Sequence, residues 1–105
     1  MAVITLGVDN FDEVVKKDGE LVLLDFFATW CMPCKMLEPI INEVSQTADG
    51  VKVAKLDIDE NTQIARDFGV MSVPTLVVLK DGQEVERIVG FRQADQILET
   101  LNKYK

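Results

Sequence analysis

The stretch Leu21–Ala28 reads Leu-Val-Leu-Leu-Asp-Phe-Phe-Ala, and it constrains the fold more than any other part of the chain. A strand that is apolar on both of its alternating faces must be covered on both sides, as central strands of parallel sheets are. Strand-like and helix-like segments alternate around it. Val3–Leu6 is a short apolar strand. Asp9 offers an N-cap for a helix whose stripe is Phe11, Val14 and Val15, and Asp18-Gly19 ends it. A longer helix runs from about Cys31 to Thr47, with Cys34, Leu37, Ile41 and Val44 on one stripe and Pro39 predicting a kink. Val51–Ile58 is the next strand. Asn61 or Thr62 caps a short helix through Phe68, with Gly69 suited to its C′ position. Thr75–Leu79 and Glu84–Val89 flank Asp81-Gly82, a strong hairpin signal. Ala94, Ile97, Leu98 and Leu101 mark a last amphipathic helix. The order βαβαβ and then αββα predicts a right-handed parallel unit joined to an antiparallel half. The fold class is α/β, a mixed sheet with helices on both faces.

The 105 residues and a 48% hydrophobic content supply one packed core, so the chain reads as a single domain, 1–105. The net charge of −7 repels phosphate backbones and anionic lipid, which makes nucleic acid and membrane surfaces poor partners. No apolar run approaches the about 20 residues that span a bilayer. Met1 to Leu6 lacks the basic and apolar regions of a cleavable signal, and Met1 reads as an intact start. The expectation is a cytoplasmic protein. There, a cysteine pair is more often catalytic or metal-binding than a structural staple.

The chain holds two cysteines, Cys31 and Cys34, and no histidine. Histidine-based acid–base catalysis and histidine-ligated metals are thereby excluded. Two cysteines three apart form a redox pair, half of a zinc site, or an incidental pair of small buried side chains. Zinc wants four ligands, and two cysteines without histidine supply only half of them. A carrier of a soft metal, Cu(I) or zinc, on the two thiolates is a further reading. A docking module whose cysteines only sense redox state is another.

Position favours redox chemistry. The first turn of a helix carries unpaired N–H groups and partial positive charge, which stabilise a thiolate. Lys35 adds charge nearby, and Pro33 suits a first turn. On the helix stripe Cys34 faces inward, whereas Cys31 at the very end is expected to be more exposed. Cys31 then attacks a substrate disulfide and Cys34 resolves the mixed disulfide. Asp25 interrupts the apolar strand, where an ionised carboxylate is costly. It is either a strand-end carboxylate reaching water or a buried carboxyl that moves protons for Cys34. Lys55, on the neighbouring strand, reads as a solvated lysine or as a partner for Asp25.

Asp25-Phe26-Phe27-Ala28-Thr29-Trp30-Cys31-Met32-Pro33-Cys34-Lys35 closely resembles the active-site signature of the thioredoxin family. Pro39, Val53-Ala54-Lys55-Leu56-Asp57, Val73-Pro74-Thr75, Lys80-Asp81-Gly82 and Val89-Gly90 extend the likeness over essentially the whole chain. The resemblance implies a five-stranded mixed sheet in order 1-3-2-4-5 flanked by four helices. It implies a protein-disulfide reductase that carries electrons from a thioredoxin reductase to client proteins. Cys31 is then the nucleophile, Cys34 the resolving thiol, and Asp25 and Lys55 tune proton transfer. Pro74 follows a cis bond after Val73 and faces the sulfurs, with the preceding backbone free to pair with an extended segment. Trp30, Met32, Pro33, Met71, Ser72, Val73, Gly90 and Phe91 form the substrate groove. No cofactor and no metal is expected, and the chain is expected to be a monomer. Met32 departs from the family pattern, which has Gly there. It places a long polarizable side chain beside the nucleophile, and it leaves the reduction potential open.

Overall fold

The computed structural model describes residues 2–105; Met1 lies outside the described residues. Nine elements follow in the order β1 (Ile4–Thr5), α1 (Phe11–Val15), β2 (Leu21–Phe27), α2 (Met32–Thr47), β3 (Val51–Asp57), α3 (Thr62–Asp67), β4 (Thr75–Lys80), β5 (Gln83–Val89) and α4 (Ala94–Asn102). The strands form one sheet in the order β1-β3-β2-β4-β5. β2 pairs in parallel with β3 and antiparallel with β4, so it joins the two halves of the sheet.

Period-2 alternation divides the core into two layers. Leu21 and Leu23 of β2 pack with Leu37, Ile41 and Val44 of α2 and with Ile97 and Leu101 of α4. Val22, Leu24 and Phe26 pack on the other face with Phe11, Val15 and Ala65, from α1 and α3. Asp25 has odd parity and therefore lies on the α2 side. The same alternation puts Val51 and Val53 of β3 on that side, and Lys55 shares their parity. Parallel register sets Lys55 beside Asp25. The sheet thus places the two charged residues together beneath the helix that carries the cysteines.

Ile41 of α2 is fully buried in this layer. Ile41→Val should therefore lower stability by about 1 kcal/mol, read from the urea midpoint, through one lost methyl group and the space it leaves. A change within a few tenths would show that this layer is looser than its burial indicates.

Several local features differ from the sequence reading: β1 is only Ile4–Thr5 rather than Val3–Leu6, and β3 stops at Asp57 rather than Ile58. The N-cap of α1 is Asn10 rather than Asp9. The Asn10 side chain instead bridges the preceding loop, accepting from the Gly7 N–H at 2.8 Å and donating to the Thr5 carbonyl at 3.1 Å. α2 begins at Met32, and Cys31 is its N-cap. The hairpin strands are longer than expected, with Lys80 paired to Gln83 across the two-residue turn. Asp81 and Gly82 there have φ of 53° and 78°, the left-handed pair that a tight hairpin turn requires. A β-bulge interrupts the β4–β5 ladder at Val78/Leu79.

Candidate active site

β2 ends at Phe27, the chain crosses Ala28-Thr29-Trp30, and α2 starts at Met32. This strand–turn–helix passage puts Cys31 at the helix entrance with an extended backbone, φ −90° and ψ 111°. Its Sγ accepts a hydrogen bond from the Cys34 backbone N–H at 3.2 Å, one of the orphan donors of the first turn. A sulfur in the place of a capping oxygen receives the partial positive charge of the helix end directly. Pro33 occupies the first turn, where a missing N–H breaks no helical bond. Cys31 and Cys34 are joined as a disulfide, with their Cα atoms 5.2 Å apart.

The expected difference in exposure between the two cysteines is absent. Each is only 5% exposed. Capping turns Cys31 back over the first turn rather than off the end, where Phe27, Ile58 and Val73 pack against the pair. What distinguishes the sulfurs is their surroundings. Cys31 Sγ lies 3.7 Å from the Val73 carbonyl oxygen. The oxidised sulfur has no proton, so this contact becomes a donor–acceptor pair only in the thiol form. Cys34 borders a small cavity that Asp25 also lines.

Between β2, β3 and α2 lies a cavity of about 20 Å³, bordered by Asp25, Phe27, Cys34, Glu38, Ile41 and Lys55 among others. That volume admits one water molecule. Asp25 is 5% exposed, and its Oδ1 meets no hydrogen-bond partner in the protein. Burial raises its carboxyl from 3.8 to about 7; Lys55 pulls it down and Glu38 pushes it up. Half-buried Lys55 holds its Nζ 5.8 Å from the centroid of the Phe27 ring.

The remaining predicted residues lie around the disulfide at different depths. The Val73–Pro74 peptide bond is cis, with Pro74 buried and Val73 half-buried beside the sulfurs. Ser72 is exposed, and its carbonyl accepts from the Thr75 hydroxyl at 2.7 Å. Trp30, Met32 and Met71 are 68%, 66% and 96% exposed, a large apolar display for so small a surface. Gly90 donates its N–H to the Pro74 carbonyl at 2.9 Å, with φ of 99°. Phe91 is half-buried against the α2–α4 core layer.

Two contributors escaped the sequence reading. Asp59 Oδ2 accepts from the Trp30 indole N–H at 2.8 Å and so fixes the ring beside the motif. Glu38 borders the Asp25 cavity and also, with Cys34 and Lys35, a surface cleft beside Phe27–Thr29. The i, i+4 spacing of Cys34 and Glu38 on a helix was the signal available for the second. Nothing local marked the first, whose partner lies 29 residues away.

The thioredoxin family model matches residues 2–103. A thioredoxin of Staphylococcus haemolyticus is 45% identical over 105 residues, covering 99% of both chains. A thioredoxin of Listeria monocytogenes is 47% identical over 85 residues, 80% of this chain and 82% of that one. Among solved structures, a thioredoxin from Nicotiana alata superposes with a TM-score of 0.90 at 38% identity, covering 98% of this chain and 92% of that one.

Proposed function

The chain belongs to the thioredoxin family and is a thiol–disulfide oxidoreductase, and from that premise we propose how its residues divide the work. Cys31 is the nucleophile. Its thiolate attacks one sulfur of a client disulfide; a mixed disulfide forms and the client's second sulfur leaves as a thiolate. Asp25, as carboxylate, takes the Cys34 proton. Cys34 then attacks Cys31, the intramolecular disulfide closes and the client's first sulfur departs. The two client sulfurs are protonated by the Cys34 proton held on Asp25 and by the proton that Cys31 released to solvent on ionising. Two electrons pass from the dithiol to the client, and the chain is left as its Cys31–Cys34 disulfide.

The observation that carries this division is the asymmetric surroundings of the sulfurs. Cys31 Sγ sits at the helix cap facing the Val73 backbone, whereas Cys34 borders the Asp25 cavity. Lys55 favours the ionised form of Asp25 and so moderates its basicity. The apolar rim of Trp30, Met32, Pro33 and Met71 receives an extended client segment, which pairs with the backbone at Ser72-Val73 and rests against Pro74, Gly90 and Phe91. Residues 1–105 act as one domain and a monomer in the cytoplasm. A thioredoxin reductase returns the disulfide to the dithiol.

Cys34→Ser tests the division of labour. The variant should accumulate mixed disulfides through Cys31 that reductant releases. Capture that persists in reductant, or that survives replacement of both cysteines, would instead favour a docking module.

A further inference from the structure

Glu38 borders two spaces at once: the small buried cavity that holds Asp25 and the open cleft at the end of β2. Its side chain is exposed, so it stands at the boundary between them. Helical geometry stacks it one turn beyond Cys34 on the same face of α2. The charged and titratable groups that face the Asp25 carboxyl are few. Lys55 comes from β3, and Cys34 and Glu38 come from α2. β4 sets apolar Leu76 in register with Asp25, and Val3, ahead of β1, adds an apolar wall. The buried carboxyl therefore lies between one positive and one negative neighbour. With Oδ1 unpartnered, no hydrogen bond at that oxygen offsets them.

We propose that Glu38 is a positioning residue for the resolving step, controlling from the mouth of the cavity when Asp25 can accept the Cys34 proton. A negative charge there opposes a second negative charge on Asp25. It acts against Lys55, and burial of Asp25 keeps the dielectric between them low enough for both to matter. Burial sets the range in which Asp25 can take the Cys34 proton, and the balance of Glu38 and Lys55 adjusts the pH within it. Glu38 touches neither client nor sulfur in this role; it works through Asp25. The inference rests on the role of Asp25 proposed above.

The test follows the release of a chromophoric peptide thiol from its mixed disulfide with Cys31, from about pH 5 to about pH 9. Glu38→Gln should move the rising limb of the rate to lower pH by at least about half a unit. Glu38→Asp, which keeps the charge, should restore most of the wild-type profile. The Asp25 carboxyl, followed in the oxidised protein by its ¹³C resonance, should shift in the same direction. Superimposable profiles for Glu38→Gln and wild type, with the limb lost in Asp25→Asn, would overturn the role of Glu38 and leave that of Asp25 standing. A limb that persists in Asp25→Asn would overturn both.

Discussion

Cys31→Ser is expected to lose protein-disulfide reduction by at least about 100-fold, or about 2.7 kcal/mol in the barrier, in an insulin-reduction turbidity assay with dithiothreitol. A serine hydroxyl at the helix cap still accepts from the Cys34 N–H, so the fold has no reason to change. What disappears is the sulfur that carries the covalent step. Cys34 cannot substitute for it. Its side chain borders the Asp25 cavity, whereas the Cys31 sulfur is the one set against the Val73 backbone and at the helix cap. Activity unchanged in Cys31→Ser would remove the assignment of Cys31 as nucleophile.

Asp25→Asn is expected to be markedly more stable than wild type at pH 8 and close to it at pH 4. Its carboxyl sits at about 7 in the folded chain against 3.8 in an ordinary setting. The folded state thus binds a proton that the unfolded state has given up between these values. Stability therefore falls as pH rises through that window. Below about 3.8 both states hold the proton and the contribution is fully present. Above about 7 both have lost it, and the fold carries a buried carboxylate with an unpartnered oxygen. The span amounts to on the order of 4 kcal/mol, or a urea midpoint about 1 M or more higher for the asparagine variant at pH 8. A difference between the proteins that stays constant from pH 4 to pH 8 would place the effect in side-chain shape rather than charge. The resolving step should slow in the same variant, because an amide cannot accept the Cys34 proton. The group that destabilises the fold is the one proposed above to take the Cys34 proton.

Much of this arrangement is legible in the amino-acid order, and what is not has identifiable causes. The run Leu21–Phe27 announces a doubly covered strand, and parity along it places Asp25 under the cysteine helix. Asp81-Gly82 announces the hairpin because few residue pairs accept left-handed backbone at both positions. A helical stripe, by contrast, says which way a residue points only inside the helix. Cys31 is the residue before it, and its burial comes from Val73, 42 positions away. Pairing over such distances has no local signature. Asp59 behind Trp30 is hidden for the same reason. Glu38 reads in sequence as one more charge on a solvated face, and only the cavity beneath gives it a second neighbourhood. Asp9 and Asn10 are both good caps by type. The loop hydrogen bonds of Asn10, not propensity, settle which residue stands at the helix start.

The sheet has two free margins, and their form bears on whether it can recruit a strand from another chain. β1, at one margin, is two residues long and offers little backbone to a stray strand. β5, at the other, carries Glu84, Glu86 and Arg87 and holds the extra residue of the bulge, Val85. Short length, charge and a bulge each discourage edge-to-edge recruitment and the aggregation that follows from it. Both margins of the sheet are thereby guarded, while the exposed apolar side chains Trp30 and Met32 flank the disulfide.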